Sequence, residues 1–421
     1  MSSRVSIVLV SVLLALAIVL AGCGGGANGG PRVRFASYPT ATSGTNFTGP
    51  ELGDHGYHGS GSEKNGITYT CAGGHVDIAH LRKAADWTLY LSEKAYEHIE
   101  QGDTEFTFKL YEPSIYYVTL DYPNHWNDLS QEDREVIAHD VAVGLGRYFA
   151  FTATTWHEII SYFGYRSTGI FPEHASAFSW EDSYSNLLGT YIAGEVLENA
   201  DTLDIVDTNE YDMAMTVALD VEMSKLGIQS GSIAREAAAS VRGRWFTGDL
   251  IFVDMKKRHF DVGVDDGMVT PLITAPEIGP CGPVEPASYP APQLDFVDRY
   301  GFGVNFEMEV REGIKRKVFR AAYPDEPERH KRIRPSVHFA RIMRYIEKDA
   351  IENNRTIPDE SSPDVVAHGG RADARGPGRS NSVWQANRSP DAGKDDQVEF
   401  DDLVPLTFRW LEDSPFADQI R

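Results

Sequence analysis

Positive charge is in short supply in this chain. Lys and Arg number 39 against 62 Asp and Glu, a formal net charge of −23. Such a surface repels phosphates, which excludes nucleic acid as a partner. It repels anionic lipid headgroups as well, and otherwise reads as a well-solvated acidic exterior. Long apolar runs are nearly absent: after residue 22 no second stretch of eighteen apolar residues occurs, so the sequence offers no further membrane span. There is no internal repeat. Cysteine is limited to Cys23, Cys71 and Cys281.

The one long apolar run is at the start. Arg4 is the only early charge, Val5 to Val19 is almost wholly aliphatic, and Leu20-Ala21-Gly22-Cys23 follows. Charge, apolar run, small residues and Cys fall in the order of a bacterial secretory signal. The tetrapeptide resembles a lipobox, in which the cysteine is acylated and becomes the mature N-terminus. The alternative is an uncleaved anchor, but the run ends in glycines and lacks a basic stop. The expected protein is therefore exported, tethered to a membrane by lipid on Cys23, and faces the periplasm or exterior of a bacterial envelope. In that oxidising compartment the two remaining cysteines, Cys71 and Cys281, are expected to form a disulfide with Cα atoms at most about 7 Å apart.

The organisation read from the chain is a signal peptide at 1–22, a lipidated flexible spacer at 23–66 and a main domain at 67–355. A disordered linker at 356–399 and a C-terminal docking segment at 400–421 complete it. Leu81, Ala84, Thr88, Leu91 and Ala95 form one helical stripe, and Val141, Leu145, Tyr148, Thr152, Trp156, Ile159 and Phe163 form another. Ser130 and Asp133 fit a capping box before the second stripe. Gly144 and Gly146 within it mark a break or a close approach. Phe106 to Leu120 alternates like strand, as does Phe302 to Val310. Asp249–Val253, Val262–Val264, Val269–Ile273 and Lys317–Ala322 read as further short strands. The fold class expected is α+β: a single large domain with a helical core and a later set of short β-strands.

Three segments combine polar groups with inward helical faces. Asp77 and His80 stand at i and i+3 near a helix start, where a carboxylate and an imidazole can bind a metal or pass a proton. They equally suit a cap and a hydrogen-bonded core residue. Trp156-His157-Glu158-Ile159 invites comparison with the zincin His-Glu-x-x-His, but Ser161 stands at the second histidine position, so that chemistry is unsupported. In this helix His157 is expected beside the apolar stripe, with Glu158 pointing further outward. Ser179 and Asp182 fit another capping box. Glu181 shares a face with Tyr184, Ser185 and Leu188, and a buried carboxylate there demands a counterpart. Gly248-Asp249 with His259 and Val262-Gly263-Val264 resembles strands of papain-like cell-wall cysteine peptidases. The Asp-Cys-Ser-Gly signature is missing, and a disulfide would consume the thiol of Cys71.

Taken together these segments resemble an uncharacterised bacterial lipoprotein family, domain of unknown function 4056. The resemblance is carried by Thr70-Cys71, Gly74, Asp77, Ala79-His80, Arg82, Asp86-Trp87, Trp156-His157-Glu158-Ile159 and Glu181-Asp182. Tyr184 to Gly189, Asp265-Asp266-Gly267 and Pro271 complete it, over roughly Thr70 to Tyr323. It implies a compartment but no reaction. Two functional classes follow. One is an envelope hydrolase, metal-assisted or not, with His80, His157 and Glu181 as acid/base groups and Asp77, His80, His157 and Glu181 as ligands of a divalent metal. The other is a non-catalytic lipoprotein that binds or organises an envelope component, its polar residues forming a buried network.

Overall fold

The computed structural model describes residues 30–357, except 35, 43–45, 60–61, 111–113, 167–172, 201–202, 204–206, 250–251, 275–279 and 326–331. The expected signal peptide, Cys23, the expected linker from residue 358 and the expected docking segment at 400–421 lie outside the described residues.

A short antiparallel hairpin leads into the helical core. Strand β1 (Ile67–Thr70) pairs with β2 (Gly74–Asp77) in a register that sets Thr70 opposite Gly74. Gly74 has φ of 64°, and an added Cβ would lie 2.3 Å from the Leu272 carbonyl oxygen, so only glycine closes this turn. The last residue of β2, Asp77, caps helix α1 (Ile78–Gln101) by accepting the Ala79 N–H. All five residues of the first expected stripe are buried in α1. Strands β3 (Glu105–Phe108) and β4 (Ser114–Asp121) follow, then the long helix α2 (Gln131–Tyr162). Ser130 caps α2 by accepting the Asp133 N–H, as the capping box requires. Next come α3 (Asp182–Glu198), α4 (Thr208–Lys225) and α5 (Gly231–Ser240).

Short pairs occupy the later chain. Strand β5 (Phe246–Thr247) pairs with β6 (Asp254–Met255), and β7 (Met268–Val269) with β8 (Tyr289–Pro290). Strand β9 (Gly303–Val310) then adds to β4, giving the antiparallel order β3-β4-β9. Phe108, Tyr116 and Phe306 stack on this sheet, and Phe149 of α2 packs on Phe306 with centroids 4.6 Å apart. Helices α6 (Glu312–Ala322) and α7 (Pro335–Glu352) end the described part. The domain is α+β, with α1 packed on α2 and α3 at its centre.

Close backbone approach joins these three helices. A Cβ on Gly146 would lie 2.0 Å from the Ser92 hydroxyl, and one on Gly189 would lie 2.0 Å from the Leu81 carbonyl oxygen. Helix α2 runs unbroken through Gly144 and Gly146, so these glycines serve packing and make no break.

Three expectations need correction. Lys317–Ala322 lies within helix α6: Val318, Phe319 and Ala322 turn inward at helical spacing while Lys and Arg face out. Among the described residues, Asp249–Val253 and Val262–Val264 carry no strand; the pairing nearby is confined to β6 (Asp254–Met255) and β7 (Met268–Val269). The third concerns the expected spacer. Its described residues do not form a free tether from residue 30 onward, because arginines and acids bind it to α1. Glu63 pairs with Arg32, with Arg34 at 2.9 Å and with Arg82 at 2.9 Å. Arg34 also pairs with Asp86, which takes His55 Nε2 at 2.7 Å. Arg82 donates to the carbonyls of Leu52 and Gly53 at 3.0 Å each. Burial opposes ionisation of Asp86, yet the charges of Arg34 and His55 outweigh it and hold the carboxyl below its ordinary range.

A disulfide joins Cys71 to Cys281 with Cα atoms 5.3 Å apart. It lies beside a small satellite core of Phe47, Ile67, Tyr69, Ala234, Ala237 and Ala238. The Cys71 sulfur is therefore bonded, which removes it as a nucleophile in this form.

Candidate functional site

The N-terminus of α1, the middle of α2 and the start of α3 bring acids and histidines together. Asp77 is held by three hydrogen bonds. Its carboxylate accepts the Ala79 N–H and the Ser37 N–H, both at 2.8 Å, and its own N–H donates to Ser185 Oγ at 2.9 Å. Ser185 in turn donates to the Glu181 carbonyl at 2.6 Å, which fixes β2 against the start of α3. His80, one turn into α1, places Nδ1 3.4 Å from Asp77 Oδ2 and 3.2 Å from Asp182 Oδ1. Neither contact is aligned as a hydrogen bond, a looseness common in catalytic groups before substrate arrives.

Asp182 accepts the Ser179 N–H at 2.7 Å, so the capping-box contact is present and the other carboxylate oxygen is left for His80. Glu158 of α2 is buried and accepts the Phe178 N–H at 2.9 Å. Sequence phase placed Glu158 outward of His157; the structure reverses them. Glu158 faces the turn before α3, while the His157 side chain retains 27% exposure with Nε2 3.8 Å from Glu173. Phe178, at φ of 57°, sits in the left-handed region that a bulky residue rarely adopts. Its N–H is taken by Glu158 and its carbonyl accepts the His259 N–H at 3.0 Å. The adjoining turn is held by buried Arg258, whose guanidinium donates to the carbonyls of Ala177 and His174.

Of the four residues expected to meet, Asp77 and His80 touch. Glu181 is buried close enough for its charge to act on Asp77's neighbourhood, and His157 acts on His80, Glu158 and Asp182 from the rim. The sequence reading missed Glu158 as an inward group and Asp182 as more than a cap. It also missed Tyr38, in the segment read as spacer. Ser179-x-x-Asp182 was a complete local explanation for Asp182, and nothing in it signalled His80.

Electrostatics make this a proton-rich cluster. Burial raises the Asp77 carboxyl against the opposing effects of His80 and two N–H donors. Burial and the Asp182 charge raise Glu158, and raise Glu181 well above its usual range. Asp182 is pushed up to about 7, first by burial, with the Ser179 N–H and the Lys83 charge opposing. His80 is lowered to about 4 by burial and by Lys83, so its imidazole is neutral near pH 7. Tyr38, at the exposed side, is pushed up to about 12 by desolvation and by Glu173, Asp182, Asp77 and Glu158. Adjacent carboxylates cannot all ionise in a medium of low polarity, so protons stay bound among them.

Among the described residues no group of three or more His, Cys, Asp or Glu is placed to hold an ion. The residues as arranged do not fit the expected divalent site. A cleft of about 600 Å³ lined by Tyr122, Trp126, Gln101 and Arg134 lies at the other end of α1. A 24-residue helix spans roughly 35 Å, so that cleft does not reach His80.

The model of one family, described as Protein of unknown function (DUF4056), matches residues 51–265. The chain belongs to the DUF4056 family. No curated protein and no solved structure matches it. The DUF4056 region contains Asp77, His80, His157, Glu158, Glu181 and Asp182, and begins before and ends earlier than the resemblance read from the sequence. Tyr38 and Cys281 stand outside it.

The raised Asp182 pKa predicts a sign for stability. The unfolded carboxyl titrates near 3.8 and the folded one near 7, so the folded chain binds the extra proton between them. That contribution is full below about pH 4 and is lost as pH rises through 7. Relative to Asp182→Asn, the parent should therefore lose about 2 kcal/mol or more of unfolding free energy between pH 4 and 8. Urea unfolding at both pH values measures it; a parent-to-variant gap independent of pH contradicts the assignment.

Proposed function

We propose that this DUF4056 protein is an exported, lipid-anchored envelope protein that hydrolyses an envelope component by general acid–base chemistry at His80. The observation that carries the catalytic part is the position of His80. Its Nδ1 edge faces Asp77 and Asp182, and its side chain keeps 12% exposure at the edge of carboxylates that are otherwise buried. With Nδ1–H turned to those acids, Nε2 is on the opposite edge of the ring with its lone pair available. It accepts a proton from water as the water oxygen bonds to the substrate's electrophilic carbon. The carboxylates stabilise the imidazolium that forms, and the same proton passes to the leaving group as its bond breaks. Glu158 fixes the strained Phe178 turn and thereby the position of Asp182. His157 adjusts the charge around the base from the rim, and Glu181 interacts with the charges of Asp182 and Asp77 beside it.

Export is supported by the order of charge, apolar run and Leu20-Ala21-Gly22-Cys23, and by a disulfide of the kind that persists in oxidising compartments. Among the described residues no helix is long and apolar enough to cross a membrane. On this reading the acyl chain on Cys23 supplies the attachment.

His80→Gln should lower release of soluble products from isolated envelope material by about 10²–10⁴-fold, the usual contribution of a positioned base. Mass spectrometry of the supernatant reads the products. Equal release by parent and variant, with only a fall in melting temperature, would assign His80 a structural role. Cys23→Ala should move the protein from the detergent phase to the aqueous phase on phase separation. A mature parent chain whose Cys23 carries no lipid in intact-mass analysis refutes the anchor.

A further inference from the structure

The domain holds two buried groups of acids, and it treats them differently. Glu63 and Asp86 are compensated by Arg32, Arg34 and Arg82. Among the described residues, Asp77, Glu158, Glu181 and Asp182 make no ion pair with any Lys or Arg; only His80 approaches them, at Asp77 and Asp182. Lys83 acts on Asp182 and His80 at longer range, and the guanidinium of Arg258 is engaged by backbone carbonyls. Three of the four carboxylates accept a backbone N–H: Asp77 from Ser37 and Ala79, Glu158 from Phe178, Asp182 from Ser179. Glu181 is 1% exposed, and its Oε2 has no hydrogen-bond partner. This oxygen is an acceptor left open inside an acceptor-rich cluster, where an unmade hydrogen bond is costly.

We propose that Glu181 and Asp182, beside His80, receive a primary ammonium group carried by the substrate close to the bond that is hydrolysed. The inference rests on reading His80 as the base of the site. An ionised carboxylate only accepts, and an ammonium only donates, with three N–H groups on a compact centre, so its arrival displaces the proton these acids otherwise share. A guanidinium is planar and calls for a wider, bidentate fork. The ammonium reaches the cluster on the side of His80 and Tyr38, the members open to solvent. There it supplies the positive charge that arginine supplies at Glu63, and it fixes the substrate next to Nε2.

Isothermal titration of the full chain in detergent at pH 8 tests this, using n-butylammonium chloride and n-butanol in parallel. The ammonium should bind and the alcohol should not. Glu181→Gln, checked for folding by circular dichroism, should weaken ammonium binding about tenfold or more, as expected for loss of a charged acceptor. If that variant does not fold, the preference of the parent for ammonium over alcohol still decides. Equal heats from the two probes, or unchanged binding by folded Glu181→Gln, would overturn the proposal. Tighter binding of zinc chloride than of the amine, abolished by Glu181→Gln, would overturn it in favour of a metal site. The two readings fail separately: hydrolysis that needs His80 without any ammonium binding refutes only this inference, and ammonium binding without hydrolysis refutes only the reaction.

Discussion

Glu63 is the point on which the arrangement turns. Its carboxylate gathers Arg32, Arg34 and Arg82, and Arg34 carries the network to Asp86 and on to His55. Taking these charges from water costs several kcal/mol per ion, and the mutual attraction offsets this only when geometry and extra hydrogen bonds are good. Here the guanidiniums also donate to the carbonyls of Leu52, Gly53 and Gly56. The network need not add net stability to matter. Removing any member would strand a buried charge, so Arg32, Arg34 and Glu63 have one place to lie on α1. That placement sets Ser37 on Asp77 and Tyr38 at the open side of the site.

One helix serves both charged groups. Arg82 and Asp86 stand one turn apart on α1, and His80 lies some 200° around the helix from Arg82 at 100° per residue. Its N-terminus therefore presents the compensated network on one flank and the proton-holding cluster on the other. The compensated flank is inert because every acid has a cation. The other flank keeps carboxylates raised and an imidazole neutral near pH 7. That difference gives the second cluster the capacity to accept and donate protons, and the strained Phe178 turn sits beside it.

Much of this was legible where a local rule and the fold agree. The α1 and α2 stripes, the Ser130 cap, the Asp77 cap and the alternation of β4 all depend on periodicity or on neighbours three residues apart. The inward place of Glu181 followed from phase. Illegible features depended on distant partners. Arg32, Arg34 and Glu63 sit among Gly, Ser and Pro, and their composition reads as a tether; only Arg82 and Asp86 explain why they are buried. Lys317–Ala322 was too short for periodicity to separate strand from helix, and the stripe appears only once Glu312 to Lys315 are included. Glu158 turned inward because a turn twenty residues later offers it the Phe178 N–H.

The dependence of the site on the buried network is most directly tested by hydrogen exchange at the Ser37 amide in the parent and in Asp86→Asn. Asparagine keeps the shape and removes the charge that holds Arg34. The account predicts that Ser37 loses protection by about tenfold or more, through local opening of the segment, while amides of α2 from Trp156 to Ile160 stay protected. Unchanged Ser37 protection in a folded Asp86→Asn variant would contradict it.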